Sequence, residues 1–133
     1  MTTQELATLA EAMGFKVRID TSAGYDVTRV LVKRDSINPD TGGTEQRECV
    51  FRPHEDAAQA FEVLCWLMAR VPACGDANDE CNFEIGKHAV YAMNYGHYGS
   101  DPWVMWSFEH NNTPPDLRRA IVAAAVRVAE GMK

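Results

Sequence analysis

Between positions 91 and 103 the chain reads Tyr91-Ala92-Met93-Asn94-Tyr95-Gly96-His97-Tyr98-Gly99-Ser100-Asp101-Pro102-Trp103. Three tyrosines, a tryptophan, a histidine and an asparagine share this stretch with two glycines. Glycine lets backbone amides approach a ligand, and aromatic rings offer stacking faces for a base or another ring. Rigid, amphipathic Tyr and Trp suit protein contact equally well. Binding residues concentrate on loops. Tyr91, Asn94, Tyr95, His97, Tyr98 and Trp103 therefore make the first candidate site for a ligand or partner. The competing reading is a long hairpin whose tyrosines close over a sheet end.

Other chemistry finds weaker support. Cys74 and Cys81 are followed by His88 and His97, but structural zinc sites use closer cysteine pairs. Cys65 falls on an apolar helix face and reads as a small core residue. The acidic loop Asp76–Glu80, with Asp79, lacks the ligand pattern of an EF-hand. His54, His88, His97 and His110 could each act as a base. There is no Gly-x-Ser-x-Gly elbow, no phosphate-cradling Gly-Lys-Ser/Thr loop and no His-Glu-x-x-His helix. Glu109-His110-Asn111-Asn112 ends a strand and could donate several polar groups, or is a turn with an Asn cap for the next helix. The expectation is a non-enzyme with no cofactor and no metal.

The bulk numbers agree with a binding protein. The chain has 133 residues, 46% hydrophobic and 24% charged, with net charge −6. That is ordinary globular composition, long enough for one domain with a sizeable core. A duplex-wrapping nucleic-acid binder would carry a basic face. The first 52 residues hold seven Lys/Arg against eight Asp/Glu, so no basic arm is expected there. No apolar run reaches membrane-spanning length, and the N-terminus lacks the regions of a signal peptide. The expected setting is the cytoplasm, with the four cysteines reduced.

The elements that must position the candidate site follow from periodicity. Thr3–Met13 reads as a helix closed by Gly14. Phe15, Val17 and Ile19 alternate with charges as a half-buried strand. Thr21–Gly24 reads as a turn. Tyr25–Arg34, with Val30-Leu31-Val32, reads as a central strand covered on both faces. Turn formers at 35–46 lead to a third strand at 47–52. A helix follows over about 54–71, then single strands at Phe83–Asn94 and Trp103–His110, the latter with Val104, Trp106 and Phe108 on one face. A last helix starts near Thr113 with proline in its first turn. The expected class is α+β. An antiparallel sheet of four to five strands is covered by three helices in the order α-β-β-β-α-β-β-α.

On the second helix, Ala57, Ala60, Phe61, Leu64, Cys65, Leu67 and Met68 make a broad apolar face. Glu55, Gln59, Glu62, Trp66 and Arg70 form the opposite stripe. Trp66 there is either packed under a neighbouring element or a partner contact. The last helix sets Leu117, Ile121, Ala124, Ala125 and Val128 against Asp116, Arg119, Arg127 and Glu130.

Pro53, Asp56, Ala58, Ala60, Phe61, Glu62, Val63, Leu64 and Leu67 resemble the proline–aspartate–alanine–aromatic–glutamate–valine pattern of the phage ABA-sandwich domain family. Members usually have tryptophan at the Phe61 position. Thr113, Pro115 and the alanine-rich 120–125 segment are similar to the end of that pattern, without its cysteine–arginine pair. The likeness covers about residues 50–130. It implies αβα sandwich-like layering and a phage or prophage gene, and it carries no agreed activity.

Three functions follow. The preferred one is a phage-encoded binding protein that inhibits a host process, a host defence complex above all, through protein–protein contact. The second is capture of a small nucleotide-type immune signal, with rings on the base and a local Arg/Lys cluster on the phosphates. The third is a structural homo-oligomeric phage component. A homodimer is compatible with all three.

Overall fold

The computed structural model describes residues 2–21, 28–75, 79–96 and 101–132. The elements are α1 (Thr3–Ala12), β1 (Val17–Asp20), β2 (Arg29–Ile37), β3 (Thr44–Val50), α2 (Ala57–Arg70), a 3-10 turn (Val71–Ala73), β4 (Cys81–Ile85), β5 (Ala89–Asn94), β6 (Trp103–Glu109) and α3 (Pro114–Gly131). The α+β class and the three helices match expectation. The single sheet of four to five strands does not. The strands form two three-stranded antiparallel sheets, ordered β1-β2-β3 and β4-β5-β6.

The difference begins at Gly86. The one strand expected over Phe83–Asn94 is two, because the chain reverses through Gly86-Lys87-His88 and the Gly86 amide donates to the Ala89 carbonyl at 2.8 Å. A side chain at Gly86 would be crowded: a Cβ would lie 3.1 Å from both the Ala89 carbonyl oxygen and the Tyr91 ring, so one of them would have to give way. The chain divides into two compact units, Met1–Arg52 and Pro53–Lys133, each with one of the sheets.

In the first unit, Thr2 caps α1 by accepting from the Glu5 amide at 3.1 Å, satisfying one of the helix's orphan donors. Gly14 at φ +96° ends the helical stretch as expected. α1 packs on β1 and β2. Val30, Leu31 and Val32 of the central strand are all buried, as their consecutive apolar character implies. Phe15 meets Phe51 with ring centroids 6.3 Å apart. The Arg34 guanidinium lies 4.8 Å from the Phe15 centroid, a cation–π contact. The 38–43 loop closes β2 onto β3 through Asn38 and Gly43, with Gly42 at φ +71°. The turn expected at Thr21–Gly24 and the strand start at Tyr25 lie outside the described residues, apart from Thr21.

In the second unit, α3 packs against α2 and against β5 and β6. Its alanines allow that approach, and Ala120, Val122, Ala124 and Ala125 are fully buried. Val90 and Ala92, also fully buried, present small side chains from the central strand β5. The α3 start differs from the Asn cap expected. Thr113 holds the N-cap position and makes no side-chain cap bond. Asn112 takes a left-handed φ of +64°. Asp116 reaches back instead, accepting from the Asn111 amide and from Arg119, both at 2.7 Å. These bonds, Arg119 first, lower the Asp116 pKa from its ordinary value.

A register shift between Ala92 and Met93 corrects the expected face of β6. Ala92 pairs with Trp106 and Met93 with Val104, leaving Met105 as an extra residue. Val104 therefore shares a face with Met93, away from Trp106 and Phe108.

Candidate functional site

The register places Glu84 opposite Tyr91, and Tyr91 opposite Ser107, on one face of the second sheet. Met93 and Val104 continue that face, with Val104 53% exposed. Tyr95 follows β5 directly. Its amide donates to the Glu80 carbonyl at 2.7 Å, and the Glu80 amide donates to the Gly96 carbonyl at 3.1 Å. This pairing carries the ladder one step past the strand ends. The Tyr95 hydroxyl donates to Glu84 Oε1 at 2.6 Å. That bond to a carboxylate, helped by burial and by the charges nearby, raises the phenol pKa above its ordinary value. Tyr91 and Tyr95 are both half-buried. Each ring is held along one side, Tyr91 by Gly86 and Tyr95 by Glu84.

Asn94 does something else. It is 3% exposed and pairs across the strands with Cys81 and Trp103. Its Nδ2 donates to Asp79 at 3.1 Å, and its Oδ1 accepts from the Gly96 amide at 2.7 Å. Gly96 adopts φ +66° at this bend. Asn94 is a clamp that shapes the connection, with its polar atoms already committed. Trp103 is 47% exposed. His97 and Tyr98 lie outside the described residues. The structure thus brings Tyr91 and Tyr95 together on one face and turns Asn94 away from them. Trp66 sits on α2, half-buried.

A second surface was not anticipated. The broad apolar face expected on α2 divides in two. Ala60, Val63 and Leu67 are buried. Phe61 is 66% exposed and Met68 59%, with Cys65 exposed between them and Leu64 half-buried. Positions 61, 64, 65 and 68 are one contiguous helical stripe. It lies to one side of the buried seam, while Gln59, Trp66 and Arg70 flank the other. The sequence signal was the width of the apolar arc, which exceeds what one packing seam uses.

The first unit holds a polar notch of about 400 Å³ where Lys16 and Lys33 meet, the Lys33 amide donating to the Lys16 carbonyl at 3.1 Å. Arg34, Asp35, Gln46 and Phe15 complete its border. Lys16 and Lys33 can offer ammonium groups to an anion's oxygens, with Arg34 already engaged on Phe15. The residues of that cluster are far from a basic arm in sequence, and only the passage of β2 past the end of α1 gathers them.

Among the described residues, His110 is the buried histidine, 6% exposed. Its Nδ1 accepts from the Asn112 amide at 3.0 Å, so Nε2 carries the proton and donates to the Gly86 carbonyl at 2.8 Å. Its own amide donates to the His88 carbonyl at 3.0 Å. His110 ties the β4–β5 hairpin to the start of α3. Among the described residues, no group of three or more His, Cys, Asp or Glu is gathered as a metal site would require. Among the same residues, no helix is long and apolar enough to cross a membrane. Cys74 is exposed as a residue, but partial burial of its thiol raises the pKa. Comparison of the chain with models of known protein families, with curated proteins and with solved structures found no match.

Proposed function

We propose that this chain is a phage-encoded, non-enzymatic binding protein. It inhibits a host process, a host defence system above all, by protein–protein contact in the host cytoplasm. The observation that carries the contact is the outward stripe of α2. Phe61 and Met68 keep most of their surface in water, flanking exposed Cys65. Large apolar side chains clustered on one helical stripe mark an interaction surface. An amphipathic helix engages a partner through such i, i+3, i+4, i+7 anchors. Phe61 also occupies the aromatic position of the pattern that resembles the phage ABA-sandwich family. The phage setting and the αβα layering rest on that likeness. The face bearing Tyr91, Tyr95 and Val104 supplies a second contact region, with Trp103 near its end and half-buried Trp66 on α2 a lesser candidate.

The test is protection in a host. The chain is expressed in a bacterium carrying a defence system, and phage plating is measured. Wild type should raise plating above that of the same host carrying an empty vector. Phe61→Asp with Met68→Asp should abolish the effect with the melting transition unchanged. Full protection by that double variant would remove the α2 stripe from the function.

A second reading, capture of a small nucleotide-type signal, draws on the Lys16, Lys33 and Arg34 cluster. Incubation with candidate nucleotides, followed by chromatography of what is released, separates it from the first.

A further inference from the structure

The ends of α2 and α3 and the irregular part of β6 border a second cavity, of about 390 Å³. Its lining differs in kind from that of the notch in the first unit. Met105, Trp106, Val128 and Met132 supply apolar surface, and Arg70 and Arg127 supply charge. Two features of this lining are not what packing alone would produce.

The first is that Met105 and Trp106 both face the cavity although they are neighbours on one strand. In a regular strand consecutive side chains point to opposite faces. The register shift that leaves Met105 as an extra residue breaks the alternation, and both residues border the one cavity. Bulges of this kind re-aim side chains and recur beside functional sites.

The second is the pair of arginines. The chain carries 19 Asp and Glu against 13 Lys and Arg, so carboxylates are in excess. Yet among the described residues no carboxylate forms an ion pair with Arg70 or Arg127. Arg70 stands in the last turn of α2, where a cation complements the helix dipole. Arg127 lies before the last turn of α3 and has no such role. The dipole therefore does not account for both arginines lining a single cavity beside Trp106.

We propose that this cavity binds a small organic anion with an aromatic or branched apolar body, a carboxylate, sulfonate or phosphate ester. The body packs on Trp106, Met105 and Met132, and the anionic group bonds to Arg70 and Arg127. The volume lies within the usual range of small-molecule sites, roughly 300–1,000 Å³. Guanidinium groups are the side chains best matched to planar or tetrahedral oxyanions. The inference is independent of the α2 stripe and of the inhibitory role proposed for it.

Two dyes of nearly the same shape test it: 8-anilinonaphthalene-1-sulfonate, which is anionic, and N-phenyl-1-naphthylamine, which is neutral. The anionic dye should saturate one site per chain. Arg70→Gln with Arg127→Gln should weaken the anionic dye at least about tenfold, the loss expected of a charge-assisted contact, and leave the neutral dye unchanged. Gly131→Phe should weaken both, because Gly131 borders the cavity and nothing lies within 4 Å of a Cβ built there. Both sets of substitutions fall at exposed positions, so melting temperatures should match wild type. Three results would overturn the proposal: no saturable binding, equal loss of both dyes in the arginine variant, or unaltered binding in Gly131→Phe.

Discussion

α2 and α3 are both amphipathic by sequence, and the fold uses them differently. α3 buries Ala120, Ile121, Val122, Ala124, Ala125, Val126, Val128 and Ala129. α2 buries Ala60, Val63 and Leu67 and leaves Phe61 and Met68 in water. Small side chains on α3 let other elements close on it from more than one direction. The large side chains of α2 stand to one side of its packing seam. Periodicity therefore states which face of a helix gains by leaving water. It does not state whether the same chain provides the cover.

The sharpest way to break this comparison is to truncate one residue on each side of α2. Leu67 is fully buried, so Leu67→Ala removes its transfer free energy and leaves a cavity. The expected loss is about 2–5 kcal/mol, read from urea unfolding. Phe61→Ala should fall within about 0.5 kcal/mol of wild type, as surface substitutions do. A loss at Phe61 equal to that at Leu67 would mean that the stripe is covered after all.

A somewhat smaller effect is expected at His110, which serves the second unit as Trp or Leu would serve a core. His110→Phe keeps the bulk but deprives the Gly86 carbonyl and the Asn112 amide of their partners. An unsatisfied buried group costs about 1–3 kcal/mol; Asn112 is exposed and its amide can turn to water, so a loss of about 1–3 kcal/mol, set by the Gly86 carbonyl, is expected. The hairpin amides at Gly86 and Ala89 should exchange hydrogen faster in the variant. Unchanged exchange there would show that His110 does not hold the hairpin.

The helix starts sharpen the comparison further. Asp56 caps α2 by accepting from the Gln59 amide at 3.0 Å, whereas Thr113 makes no side-chain cap bond for α3. Asp56→Ala should cost about 1 kcal/mol. Thr113→Ala should stay within about 0.5 kcal/mol of wild type. Equal losses would contradict the difference in capping.

Much of the fold was legible because it is written in local pattern. Val30-Leu31-Val32 identified the central strand of the first sheet, and Gly14 the end of α1. The hairpin at Gly86 was missed because one glycine followed by Lys87 and His88 is weak turn chemistry beside the strong apolar alternation around it. The crowding that favours glycine there comes from the Ala89 carbonyl and the Tyr91 ring, neighbours only once the strands pair. The bulge at Met105 was missed for the same reason, since a register shift has no single-strand signature. For the candidate site, Tyr91, Tyr95 and Trp103 were legible as surface aromatics. Asn94 read as one of their set because its type suits binding, and only the fold shows its polar atoms spent on Asp79 and Gly96. The exposed Phe61 stripe was visible as apolar residues and invisible as a surface.

The smallest effect concerns the other exposed region, the tyrosine face. The Phe61 stripe has no polar anchor to fix it, whereas the Tyr95 phenol is tied to Glu84. The tie makes a titration expectation with a definite sign. Because the folded state raises the Tyr95 pKa, it holds the phenolic proton more tightly than the unfolded chain does. The stabilisation is complete below the ordinary phenol pKa, near 10, and is lost as pH rises through the folded value. The difference between the alkaline absorbance titrations of wild type and Tyr95→Phe should show the deleted phenol as a late step, above the ordinary phenol pKa. Glu84→Gln, which keeps an acceptor but removes its charge, should move that step back toward the ordinary value. If the late step survives in Tyr95→Phe, the phenol–carboxylate bond is not what orders this face, and the tyrosines are as free to adapt to a partner as Phe61 is.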